Sequence, residues 1–536
     1  LKKWLKKNQN QDVEKKRKHV SFVLISWRTM NTFVQMRVNI YIRLLLVTLC
    51  CASSQALGAN TIAFSKNCIE AQKALFKFKL DHAEKHLEAE SKTNPNNAVV
   101  DYLMVMHSML SYTTNETKQG FTTFDSLKEV AIKKISAASE EDGTKDFLLE
   151  EVYFYSSVVN GKKGNNIAAA NDVRNCYKYG TLVLKKHPDY VAAKKTLGLL
   201  KSGFGSLPTK YQKLVQFFGF ESSMNKGLED LNSFITTKSD RQEWTIMKKE
   251  AQFFVASIHL YLKNDKTKAW TLIDSLTQDH AQNPLSRFAR VNFADKCRKN
   301  DEIIRVITQA QKSTPDQDIP FLSFMLGKAK LNRLDPDADS YLRQYLDQYQ
   351  GGSYVKSCYQ KLCWHAVIQG NDNKYVTYLN ELKVNGNTEL EEDEQAQKYA
   401  VQNKTPNSVL LQTRLLFDGG YYTKALKIIR PNNAGDFEKG LVRTEYFYRK
   451  GRIYDALHQT KLAEAFYLEA MQEGNLLPQY YASYATLYLA EMYERNGDSI
   501  DAKKYFKLSM SYDANKEYKR SIEHRAKNGL DRIDQN

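Results

Sequence analysis

The residues best placed to do chemistry are three aspartates at alternate positions, Asp335, Asp337 and Asp339. Alternate acids open calcium loops, which then need a glycine for the turn and a glutamate that binds through both oxygens. Ser340 stands where that glycine belongs and Leu346 where that glutamate belongs. A helix start, where acids are favoured by the dipole, accounts for the same residues. No His-Glu-x-x-His motif and no paired Cys-x-x-Cys occurs, so metal catalysis has no ligand set. A Gly-x-Ser-x-Gly elbow and a glycine-rich phosphate loop are missing too. Glutamate pairs are numerous, but any helical surface offers them and they carry no signal for glycoside hydrolysis. The residue pattern therefore implies no enzyme, no cofactor and no metal.

Cysteine is equally undemanding. Beyond residue 58 only Cys68, Cys176, Cys297, Cys358 and Cys363 remain, odd in number and scattered. Cys358 and Cys363 are about 140° apart around a helix and do not share a face. Buried free thiols are expected, with a disulfide as the alternative.

The elements that would position any site are legible between Phe447 and Met510. The first segment places Gly451, Tyr454, Ala463, Tyr467 and Ala470 at helical spacing, and Pro478 follows. The second repeats the arrangement with Leu489, Ala490, Tyr493, Ala502 and Phe506. Small residues let two helices approach closely and aromatics fill the seam between them. This pattern resembles the tetratricopeptide helix pair, whose period is about 34 residues. A single pair cannot bury its own apolar face, so copies must stack. The fold expected is all-α, a tetratricopeptide-like α-solenoid of stacked antiparallel helix pairs, each satisfied by its sequence neighbours.

The rest of the chain fits that reading. Ala74, Ala83 and Leu87 mark a first pair closed by Pro95, so the array begins near residue 68. One long helix is expected from Asp240 to Lys263, and the acidic stretch Asn385 to Asn403 reads as an exposed helix or connector. Three regions result: an N-terminal helical-repeat region over 59–240, central repeats over 241–403, and C-terminal repeats over 404–536. The last ends in a capping helix with Ile522, Ala526, Leu530 and Ile533 on one stripe.

Between Tyr190 and Leu231 the order is Ser206-Leu207-Pro208, a short apolar helix, Phe218-Gly219-Phe220, then Gly227-Leu228 and Leu231. It resembles the tetratricopeptide family that includes the eukaryotic inclusion-body-clearance proteins. It is similar also to secreted tetratricopeptide proteins of Bacteroidota-type bacteria. The resemblance implies an all-α repeat protein that binds partners, with no catalytic residues to carry over. Read from the residues themselves, the stretch is a sharp helix–helix corner in which the Phe cluster is core.

Near the N-terminus, Arg37 and Arg43 precede the apolar run Leu44–Ala52 and a small-residue segment, the order of a secretory signal peptide over 36–58. Residues 1–35 read as a basic extension, disordered or not translated. They carry nine Lys/Arg against Asp12 and Glu14, so most of the formal charge of +17 lies ahead of Ala59. The remaining +8, spread over a long array, does not call for nucleic acid. The location expected is exported: periplasmic or outer-membrane-associated, or secreted. Cys50 and Cys51 raise a lipid anchor, and hence peripheral membrane association, but Leu49 stands where a small residue should precede the lipidated Cys.

What remains is a binding surface. The inner helices of the last two pairs should direct Tyr448, Arg452, Asp455, Tyr484, Glu491 and Arg495 outward into the groove. Tyrosine offers a flat apolar face and a hydroxyl, which among mixed charges suits a protein or peptide segment, or a glycan. Three functions stay open: a protein-binding scaffold of the cell envelope, a glycan- or nutrient-binding protein, and an enzyme with a dispersed site.

Overall fold

Small side chains mark the lines along which helices cross. Ala463, Ala470, Ala482, Ala485, Ala490 and Ala502 are all fully buried. A Cβ added to Gly451 would lie 2.6 Å from the ring of Tyr467. Leu489 and Phe506 are buried in the corresponding seam of the next pair. The computed structural model describes residues 59–139, 142–207, 209–311, 319–513 and 515–535. These form 25 α-helices, and the only β contact among them is an isolated bridge between Thr61 and Asn97.

The first pairs are α1 (Lys66–Phe76) with α2 (Leu80–Thr93), α3 (Ala98–Asn115) with α4 (Lys118–Ala137), and α5 (Thr144–Lys162) with α6 (Asn166–Lys186). A corner follows, made of α7 (Lys194–Gly205), the short α8 (Thr209–Phe217) and α9 (Met224–Thr236). Next are α10 (Gln242–Ser257) with α11 (Lys266–Leu276), α12 (Pro284–Lys296) with α13 (Asn300–Gln311), and α14 (Pro320–Arg333) with α15 (Ala338–Gln348). Three helices form one step: α16 (Val355–Ile368), α17 (Asp372–Val384) and α18 (Glu391–Gln402). The last pairs are α19 (Ser408–Asp418) with α20 (Tyr422–Ile429), α21 (Leu441–Ala456) with α22 (Thr460–Gly474), and α23 (Tyr481–Arg495) with α24 (Ser499–Ser511). The helix α25 (Lys519–Gln535) closes the array, with Ile522 and Ala526 fully buried.

Local chemistry fixes several boundaries. Asn97 caps α3 through its side-chain oxygen, which accepts from the Val99 N–H, and its amide donates to Ala63 O and Glu90 Oε1. One buried side chain thus ties the entry segment to two helices. The three aspartates at 335, 337 and 339 sit at the start of α15, each held by a cation: Arg333 on Asp335, Lys330 on Asp337 and Arg343 on Asp339. The long helix expected from Asp240 is α10, continued by one π-helical turn over Ile258–Leu262. All five cysteines among the described residues are free thiols, and burial pushes Cys68 up to about 11 and Cys363 up to about 12.

Three expectations are corrected. The acidic stretch is a helix with one face buried. Asp393 of α18 is inaccessible and accepts from the backbone N–H groups of Tyr354 and Ser357, so it caps α16. At the corner, the tight contact is made by Gly198 and Gly227, where a Cβ on either would lie within 2.7 Å of the other's carbonyl oxygen. Phe220 packs there on Tyr177 and Phe204, but Phe217 and Phe218 are 83% and 66% exposed and are not core.

The third correction concerns the solenoid itself. Helix pairs do stack on their sequence neighbours, yet distant ones also meet. The Ser353 hydroxyl donates to Glu116 across 237 residues at 2.7 Å, and Glu116 pairs with Lys162. Tyr421 donates to Asp301 at 2.6 Å, and α1 packs on α10. One apolar core runs from Cys68 to Leu362, across residue 240, and a second runs from Leu410 to Ala526. A superhelix wound this tightly brings later turns against earlier ones, so side chains from one turn satisfy those of another.

Candidate partner-binding groove

The helices α14, α16, α18, α19, α21 and α23 line a cleft of about 570 Å³. Its walls alternate rings and charges. Trp364 of α16 lies between Lys361, 5.6 Å from the ring, and Arg414 of α19 at 4.7 Å. Tyr399, Tyr480, Tyr481 and Tyr518 extend the aromatic surface, and Glu391, Glu445 and Glu517 supply the opposite charge. Helical spacing explains the assembly: Gln360, Lys361 and Trp364, like Leu411, Arg414 and Leu415, share one helix face.

Lys361 is the unusual group. Only 8% of it is exposed, and its Nζ donates to Ser357 Oγ at 2.7 Å with no carboxylate within ion-pair distance among the described residues. Burial, reinforced by the neighbouring Lys328, brings its amine down to about 8.

Outside the cleft, guanidinium groups and rings alternate in a ladder. Arg298 lies 4.6 Å over Phe417, and Arg452 covers the same ring at 4.6 Å. Arg452 also lies 4.0 Å over Tyr488, and Arg525 of α25 approaches Tyr488 at 5.2 Å. Arg452 has no carboxylate within ion-pair distance among the described residues, and donates instead to Tyr448 Oη at 2.9 Å. Burial works against its charge, and the Tyr488 and Tyr448 phenols outweigh that, so its pKa rises.

None of the six residues expected in the groove lines the cleft, and most are engaged with other side chains rather than directed outward. Tyr448 is 3% exposed and packs on Tyr480 and Tyr481, which corrects its expected outward placement. Asp455 pairs with Arg495 at 2.5 Å and accepts from Tyr467. Glu491 is gripped by Arg525 through both oxygens at 2.6 and 2.8 Å. Tyr484 stacks on Tyr488. Arg452 remains the member with its charge unpaired. The physical reason is curvature: inner stripes of successive pairs turn onto one another, so these side chains bond across the seam. Sequence reasoning missed Tyr488, Arg525, Phe417, Lys361 and Trp364. Tyr488 could have been found one turn after Tyr484, whereas Lys361 and Trp364 come from a pair remote in sequence.

Comparisons with known proteins are loose. No protein-family model matches the sequence, and no curated protein does. Among solved structures, a human IFIT1 dimer with PPP-AAAA is similar over 82% of this chain and 88% of its own, at 13% identity and a TM-score of 0.34. The apo form of RapI is similar over 87% of this chain and 98% of its own, at 12% identity and a TM-score of 0.27. The assignment to a helical-repeat fold rests on the helix pairs themselves.

Proposed function

We propose that this chain is a non-enzymatic interaction scaffold of the cell envelope that grips an extended segment of a partner protein along its inner helices. The observation that carries the reading is the cleft between α14 and α23, where rings and both signs of charge line one cavity. Tyr and Trp faces bind apolar side chains at low entropy cost, and the cations and carboxylates set register on a peptide. Lys361 and Arg452 have no carboxylate within ion-pair distance among the described residues and Arg414 has only Asp418 at 3.6 Å, so an acidic position in the partner would complete them. Export to the envelope is the part of the proposal that rests on sequence alone, on the segment 36–58, which lies outside the described residues. Similarity to tetratricopeptide proteins of Bacteroidota-type bacteria belongs to the same proposal.

The test is site-directed photocrosslinking in intact cells. A crosslinker at Lys404, on the cleft wall, should capture a partner that one at the fully exposed Ile167 does not. Arg414→Gln with Arg452→Gln should abolish that capture. Identical products at both positions, or capture unchanged by the double substitution, would overturn the groove assignment.

A further inference from the structure

A second cleft, independent of the groove, lies where α1 and α3 meet α10, α11 and α12. It encloses about 310 Å³, within the range of small-molecule pockets. Its walls are apolar and come from segments remote in sequence: Met109 from α3, Phe253 and Phe254 from α10, Leu276 from α11, and Leu285 and Phe288 from α12. Several of these side chains are only half-buried, so the cleft exposes apolar surface that a closely packed interior would have covered.

Most of the polar groups at its wall are already engaged. Glu250 holds Lys195 at 2.6 Å, Asp279 accepts from Asn283 at 2.9 Å, and Thr277 donates to the Ile273 carbonyl at 2.6 Å. A peptide entering here would find few partners for its backbone N–H and C=O groups, and burying them unpaired is costly. An alkyl chain needs none. At the mouth stand three lysines. Lys73 is paired with Glu70, but Lys77 and Lys249 are exposed and have no carboxylate within ion-pair distance among the described residues.

We propose that this cleft holds a single-chain alkyl carboxylate, with its tail among Met109, Phe253 and Phe288 and its carboxylate at Lys77 and Lys249. The apolar walls supply affinity in proportion to the chain buried, and the two ammonium groups select an anionic head over a cationic one.

Isothermal titration of the full chain with decanoate tests this, with decyltrimethylammonium as the ligand of the same tail and opposite charge. Decanoate should bind and the cation should bind much more weakly. Lys77→Ala with Lys249→Ala, both at exposed positions, should weaken decanoate about tenfold. Met109→Trp, which fills the cleft, should abolish binding of both ligands while circular dichroism stays unchanged. Should Met109→Trp fail to fold, Leu285→Trp fills the same space from another helix. No heat with decanoate up to about 1 mM, equal binding of the two ligands, or an unchanged affinity in the lysine double variant would each overturn the proposal.

Discussion

The guanidinium of Arg452 lies 4.0 Å from the ring centroid of Tyr488, and Arg525 approaches that ring from α25. A phenol flanked by two fixed positive charges pays less to ionise. Burial pushes the Tyr488 phenol up, but Arg452 and then Arg525 pull it down further, so it lies below the usual tyrosine value. Arg452→Gln should therefore raise the pH at which one tyrosine ionises, read as phenolate absorbance. Tyr488→Phe should remove that early step altogether. An identical titration in Arg452→Gln and the parent would show that the stack does not tune Tyr488.

Lys195 is fully buried and holds two carboxylates, Glu151 at 2.5 Å and Glu250 at 2.6 Å. Thr196 donates to the second oxygen of Glu151 at 2.6 Å. Such a cluster is stable only while complete, because removing the cation leaves buried negative charge uncompensated. Lys195→Met should cost about 3–5 kcal/mol in denaturant unfolding. Adding Glu151→Gln should recover part of that loss. A loss below about 1 kcal/mol would mean that water reaches the cluster in solution.

Glu150 is fully buried, and neither carboxyl oxygen has a hydrogen-bond partner. Burial pushes its pKa well above the ordinary value, and Glu151 beside it adds to the shift. The folded chain then keeps a proton that the unfolded chain releases above its ordinary carboxylate pKa. Stability from this group is full below that value and declines as the pH rises toward the folded-state pKa. Glu150→Gln, neutral at every pH, should flatten this decline in unfolding measured from pH 5 to 8. Glu150→Leu should raise stability at pH 7 by about 1–3 kcal/mol, because it removes two unsatisfied buried oxygens. A pH profile identical in Glu150→Gln and the parent would mean that Glu150 is ionised and solvated.

The close approach of α21 to α22 was legible because Gly451 and Ala463 recur at helical spacing with Tyr467, and such spacing has one packing consequence. The corner at Gly227 was legible as a corner, but its contact partner, Gly198, was not, since no local pattern pairs two glycines 29 positions apart. Phe217 and Phe218 show the limit of composition. They are apolar, yet the short α8 that carries Phe217 turns both outward.

Sequence by itself determined that the chain is helical and that its helices pair, because helix periodicity and small-residue seams act over a few turns of one chain segment. Only the tertiary structure decided which inner residues keep free charge. Asp455 and Arg495, 40 positions apart, neutralise each other, whereas Arg452 meets rings and a phenol instead. That outcome depends on the superhelical curvature, the sum of many small inter-pair rotations. No single stretch of sequence encodes that sum.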